Sequence, residues 1–296
     1  MKPSQSHFHT VRGLRYHVRT WGKSAAPKLF LLHGWMDVSA SFQYVVDALS
    51  HEWHVIAPDW RGFGLTQWAE HGYWFPDYYA DLEIILDLYQ SHTPVRVAGH
   101  SMGGNIAGIY AGLRPQRVAK LVILEGLGLI RTGAEAAPER LIRWLGAQTE
   151  SPRFTSYASF DELAARLKRN NARLTEDQAL FLARHWGRET DAGAVELLSD
   201  PRHKAPNPYL YRIDEALACW RRVTAPVLLV TGRNSHIQGW MKDSPEELAE
   251  RKAAFPNLRE ATLEDCGHMM HHDQPQRLSA LLEEFLTEES PLSLEH

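Results

Sequence analysis

Short apolar runs alternate along this chain with longer segments whose apolar residues recur at helical spacing. Lys28-Leu29-Phe30-Leu31-Leu32, Trp53 to Ala57, Val95 to Ala98, Val118 to Leu124, Val227 to Val230 and Leu258 to Leu263 have strand length. Most are nearly continuous in hydrophobicity, as strands buried on both faces are. Between them, Ser41 to Leu49, Tyr78 to Tyr89, Met102 to Leu113, Glu246 to Phe255 and Pro275 to Leu286 predict helices. Near the start, Phe8 to Val11 and Leu14 to Trp21 flank Arg12-Gly13, which predicts a hairpin. Strands alternating with helices imply an α/β fold, a mostly parallel sheet flanked by helices.

From about Arg131 to Arg222 the pattern changes. This stretch is helix-rich, mixed in charge and carries Trp144, Tyr157, Trp186, Tyr209, Tyr211 and Trp220, with no strand run. It predicts a helical insertion, dividing the chain into a first core segment (1–130), the insertion (131–222) and a second core segment (223–293). Asp200 to Pro208 holds three prolines and is expected as an ordered loop or extended segment, with His203 and Lys204 solvated. Leu294-Glu295-His296 reads as the start of a purification tag.

Composition adds mainly exclusions. The 296 residues are 44% hydrophobic and 23% charged, and the net charge of -4 gives no electrostatic footprint for nucleic acid. Two cysteines, Cys219 and Cys266, are too few for a disulfide framework and are expected as plain buried or half-buried thiols. The 16 histidines are scattered, and the one adjacent pair, His271-His272, is expected on a helix surface rather than at a metal. The polar N-terminus and the lack of any long apolar run predict a cytoplasmic protein with no membrane association. No cofactor or metal is expected. The partner is a small-molecule substrate, and monomer and homodimer both stay open.

The chemistry concentrates at Val97-Ala98-Gly99-His100-Ser101-Met102-Gly103-Gly104, where a predicted strand passes through Gly-x-Ser-x-Gly straight into a predicted helix. A nucleophile on such a sharp turn needs small neighbours two residues away on either side, so that strand and helix can approach. The N-terminus of the following helix favours developing negative charge beside it. Serine at its ordinary pKa needs an adjacent base. His268, in a loop between the last predicted strand and the last predicted helix, is the candidate. By position, the backbone N–H groups of Met102 and Trp35 are the candidate oxyanion donors. Met36, His100 and Trp60 are expected near the substrate pocket, and Asp59 and Arg61 are expected to brace the loop after the fourth strand.

Four motifs in order resemble those of the α/β-hydrolase family. Leu31-Leu32-His33-Gly34-Trp35 is similar to its His-Gly oxyanion loop, Pro58-Asp59-Trp60-Arg61-Gly62-Phe63-Gly64 to its Asp-x-Arg-Gly-x-Gly segment, and Asp265-Cys266-Gly267-His268 to the Gly-His that delivers the base. The serine turn is the fourth. The resemblance spans nearly the whole chain outside the insertion, lies nearest the serine hydrolase-like proteins, and implies that the insertion is a lid over the pocket.

The chain departs from that pattern at the triad acid. Where most of the family has Gly-x-x-Asp after the seventh strand, this chain has Gly232-Arg233-Asn234-Ser235. Glu125, ending the sixth strand, is the main candidate, because a charge closing a buried apolar strand needs a partner. Some family members, including a subset of haloalkane dehalogenases, place their acid there. Asp265 and Asp243 are alternatives. Ser101 in place of the aspartate of haloalkane dehalogenases and epoxide hydrolases implies acyl-enzyme chemistry, most simply carboxylic ester hydrolysis. The motifs also resemble those of cofactor-independent dioxygenases of N-heteroaromatic compounds, and a weakly catalytic ligand receptor on the same fold is a third reading.

Overall fold

A computed structural model describes residues 1–149 and 152–288. Eight strands form the main sheet: β1 (Ser4–Val11), β2 (Leu14–Trp21), β3 (Lys28–Leu32), β4 (His54–Pro58), β5 (Val95–His100), β6 (Val118–Leu124), and, after the insertion, β9 (Val227–Gly232) and β10 (Leu258–Leu263). Their order is β1-β2-β4-β3-β5-β6-β9-β10. β1 and β2 form an antiparallel hairpin, and Arg12 and Gly13 turn it with positive φ at both positions. That matches the right-handed twist of the strands it joins. β2 also runs antiparallel to β4; the pairings β3–β4, β3–β5, β5–β6, β6–β9 and β9–β10 are parallel. The expected sheet is therefore present.

Period-two alternation places Phe30, Leu32, Val97, Leu121 and Ile123 on one face, with Ile106 and Tyr110 of helix Met102–Leu113. Leu29, Leu31, Ala98, Val122 and Leu124 face the other way, against Val45 and Val46 and against Leu278, Leu282 and Phe285 of helix Pro275–Thr287. Both faces are covered, which is why these strands read as unbroken apolar runs. Two predicted helices differ at their starts. The second begins at Phe75, with proline in its first turn, and the first is a 3₁₀ turn (Ser39–Phe42) leading into a short helix (Gln43–Ala48).

Helix Ile213–Trp220, although within the insertion by sequence, packs Ile213, Ala216, Leu217 and Trp220 into the main core. It crosses helix Met102–Leu113 at Gly112, where a Cβ would lie 1.9 Å from the Cys219 carbonyl oxygen. Gly112→Ala is expected to force these backbones apart and cost about 1–3 kcal/mol, as overpacking does; urea denaturation measures it.

The rest of the insertion carries helices Ala137–Thr149, Phe160–Asn170 and Glu176–Trp186 and a small core of its own around Leu163, Leu167, Leu182 and Val195, against which Tyr157 and Trp186 pack. Contrary to expectation it also holds two strands, β7 (Gly187–Glu189) and β8 (Val195–Leu197), paired antiparallel. Three residues each, with one buried position, they are too short for a period-two signal. The proline-rich stretch likewise contains a 3₁₀ turn, Pro201–Lys204. Cys219 is half-buried and Cys266 buried, both as free thiols. No helix among the described residues is long and apolar enough to cross a membrane.

Glu283 fastens the last helix to the loop after helix Gln43–Ala48. It accepts from Ser50 N (3.0 Å), Ser50 Oγ (2.5 Å), His51 N (2.7 Å) and Trp53 Nε1 (3.1 Å). Burial works to raise its pKa, but these donors outweigh it and hold the carboxyl at about 2. A depressed carboxylate contributes stability above the unfolded-state value of about 4.3 and loses it as pH falls toward the folded value. Glu283→Gln is thus expected to lower Tm at pH 7 and to make the difference from the wild type shrink between pH 4 and about 2.

Candidate active site

Ser101 sits at the junction of β5 and helix Met102–Leu113 with φ 50° and ψ -112°, a backbone conformation that L residues rarely hold and that costs on the order of 1–3 kcal/mol. The flanking glycines make the turn possible. A Cβ on Gly99 would lie 2.4 Å from Gly103 C and O, and one on Gly103 would lie 2.2 Å from the Leu32 carbonyl oxygen. Ser101 N donates to the Leu124 carbonyl (2.8 Å), tying the turn to the end of β6.

The His33-Gly34 loop lies directly against this turn, since a Cβ on Gly34 would come within 3.3 Å of Ser101 Cβ. Trp35 follows half-exposed, and Met36 is half-buried with φ 58°. Trp60, expected at the pocket, is instead fully buried. Its backbone N donates to His33 Nε2 (2.8 Å) and its indole Nε1 to the His33 carbonyl (3.0 Å). It fastens the loop after β4 to the loop after β3, while His33 Nδ1 bonds the Gly34 carbonyl (2.7 Å).

Asp59 and Arg61 do brace their loop, but through separate partners. Asp59 accepts from His17 (2.7 Å), Ser39 N (2.7 Å) and Leu65 N (2.9 Å). Although burial opposes it, the His17 bond with its neighbours keeps that carboxyl well below the usual range. Arg61 forms a bidentate pair with buried Asp81, both contacts at 2.7 Å. His203 is not solvated: it stacks between Phe63 (3.9 Å) and Tyr73 (3.6 Å), and burial pushes its pKa down to about 3.

Glu125 follows β6 with φ 54° and is buried. Its Oε2 lies 2.9 Å from His268 Nδ1, and its Oε1 accepts from Gly232 N (2.7 Å). Ser235 Oγ donates to the same Oε2. The serine at the position where most of the family carries an aspartate thus bonds the carboxylate that follows the neighbouring strand, a contact sequence reasoning missed because a hydroxyl after a strand carries no signature of its own. The alternative acids point elsewhere. Asp265 is exposed and lies 3.8 Å from Arg277, and Asp243 pairs with buried Arg251 at 2.7 Å.

His100, expected at the pocket, is buried behind His268, with ring centroids 4.6 Å apart and its Nε2 2.9 Å from the His268 carbonyl. Burial, then the His271 and His268 rings, push its pKa well down. His271 and His272, expected on a helix surface, are buried too, because the turn Met270–Asp273 packs inward against Phe42 and His100. An apolar cavity of about 300 Å³, also missed, opens beside Glu125 among Leu127, Leu229, Ile237, Met241 and Leu248; neither Ser101 nor His268 lines it.

The α/β-hydrolase fold family matches residues 27–275, and the chain belongs to that family. Its relatives include a serine hydrolase-like protein of Danio rerio, 28% identical over 282 residues, 92% of this chain and 85% of that protein. A soluble epoxide hydrolase of Corynebacterium sp. is 28% identical over 280 residues, 91% of this chain and 93% of the relative. Among solved structures, the thioesterase domain from the curacin biosynthetic pathway matches with a TM-score of 0.84 at 22% identity, covering 95% of this chain and 99% of that one. At that identity the likeness is one of fold.

Proposed function

We propose that the protein is a serine ester hydrolase acting through an acyl-enzyme, with Ser101 as nucleophile, His268 as general base and Glu125 as the acid that orients it. The observation carrying this reading is the 2.9 Å contact between His268 Nδ1 and Glu125 Oε2, beside a serine held on a positive-φ strand-to-helix turn. With Nδ1–H donated to the carboxylate, Nε2 keeps the lone pair that removes the Ser101 proton and later returns it to the leaving group. The backbone N–H groups of Met102 and Trp35 are the proposed oxyanion donors, Met102 opening its helix and Trp35 following the Gly34 contact. Serine at position 101 favours an acyl-enzyme over the alkyl-enzyme of epoxide opening, despite the epoxide hydrolase relative.

Exposed Trp35 and half-buried Met36, next along the chain from the Gly34 contact with the serine turn, are the proposed apolar lining of the acyl site, which suits a small or medium, partly apolar ester. Residues 131–222, which outside helix Ile213–Trp220 have their own core, are the proposed lid.

Two measurements test the reading. The protein is expected to release p-nitrophenol from short- and medium-chain p-nitrophenyl esters. A fluorophosphonate is expected to label one equivalent of serine, mapped to Ser101 by peptide mass. A folded protein that neither turns over these esters nor is labelled would overturn the proposal.

A further inference from the structure

Behind the His268 loop, three buried side chains from three parts of the chain converge: Asp37 from the loop after β3, His100 from the end of β5, and His271 from the turn before the last helix. Asp37 is 1% exposed, His100 2% and His271 0%. One ligating atom from each lies within 4.8 Å of the others; His100 Nδ1 and His271 Nδ1 are buried without a hydrogen-bond partner, and Asp37 Oδ2 and His271 Nε2 meet only each other, at 3.4 Å. Buried polar atoms in folded proteins are almost always satisfied, so such a group asks for an occupant.

Their neighbours fix what these atoms offer. His100 uses Nε2–H on the His268 carbonyl, so its Nδ1 carries a bare lone pair. The other Asp37 oxygen, Oδ1, accepts from Val38 N (2.8 Å), Trp186 Nε1 (3.1 Å) and Ser41 Oγ, which orients the carboxylate and leaves Oδ2 facing His271 Nε2 at 3.4 Å. That separation matches the edge of a tetrahedral site with ligands at about 2.1 Å from the ion, roughly 3.4 Å. Hydrogen-bond donors that hold a carboxylate in place through its other oxygen accompany metal ligands generally.

The geometry points to a buried site for one divalent transition-metal ion of the Zn²⁺ type, held by Asp37 Oδ2, His100 Nδ1 and His271 Nε2. Two imidazoles and a carboxylate suit Zn²⁺ or Co²⁺, whereas Ca²⁺ and Mg²⁺ prefer an all-oxygen shell. The bound ion would join the loop after β3 to the serine turn and the His268 loop. It lies outside the acyl-transfer chemistry and does not depend on it.

The test uses the whole protein, freed of metal with EDTA, passed through gel filtration and loaded with Zn²⁺ or Co²⁺. One retained equivalent is expected by mass spectrometry, with a rise in Tm and Co²⁺ absorption bands of a mixed nitrogen–oxygen site. His271→Gln and, separately, Asp37→Asn are expected to weaken binding at least tenfold, while His272→Gln binds as the wild type does. No retained ion in the folded wild type would overturn the site and leave a proton or water as the only occupant. Equal retention by both variants would place the ion on surface histidines. If either variant fails to fold, X-ray absorption on the Zn²⁺-loaded wild type decides: two imidazoles and a carboxylate at about 2.0–2.2 Å support the site, and a single imidazole or an oxygen-only shell refutes it.

Discussion

Ser101→Ala is expected to abolish p-nitrophenyl ester turnover, lowering kcat by about 10⁴-fold or more, because removing the nucleophile from a triad leaves only the binding and oxyanion contributions. The backbone strain at φ 50° is set by the surrounding close approach of Gly99, Gly103 and Leu32, so the variant should fold with an unchanged circular dichroism spectrum. Fluorophosphonate labelling should vanish with the activity. Turnover persisting in a folded Ser101→Ala protein would mean that another residue is acylated, or that a water activated directly by His268 does the work.

The second large effect is expected at Glu125. Its two oxygens face only donors: Gly232 N at Oε1, and Ser235 Oγ and His268 Nδ1 at Oε2. Glu125→Gln cannot satisfy them all. If its carbonyl keeps Gly232, its NH₂ meets Ser235 and the imidazole and selects the tautomer with the proton on Nε2, where it blocks the base. A loss of about 10³–10⁴-fold in kcat with KM little changed is expected, as for other triads whose acid becomes an amide. Adding Ser235→Asp should restore at least tenfold of that loss, by returning a carboxylate to the position where most of the family carries it. Near-full activity in Glu125→Gln, together with loss in Asp265→Asn or Asp243→Asn, would transfer the acid role to one of those residues.

The strands and the serine turn were legible because their signals are local. Parallel strands covered on both faces must be continuously apolar, and Gly-x-Ser-x-Gly records a steric requirement within five residues. That Glu125 meets a partner was legible for a related reason: a carboxylate closing Leu121-Val122-Ile123-Leu124 demands one. What could not be read depends on partners far along the chain. Trp60 looked like a pocket aromatic because nothing nearby in sequence shows that His33 takes both its N–H groups. His271 and His272 looked like surface histidines because their burial depends on Phe42 and His100, more than 170 residues earlier. β7 and β8 failed for lack of length, and the support given by Ser235 appears only when β6 and β9 are laid side by side.

That adjacency has an evolutionary consequence. With Glu125 closing β6, directly beside the strand that leads into Ser101 and bonded through Leu124 to the serine turn, this chain keeps its proposed nucleophile and acid at the ends of two neighbouring strands, while His268 comes from the loop after β10. The stretch from His236 to Lys242 is thereby released from any duty to hold a carboxylate. Natural drift or a mutant library can reshape it for a new substrate while the reactive centre keeps its geometry.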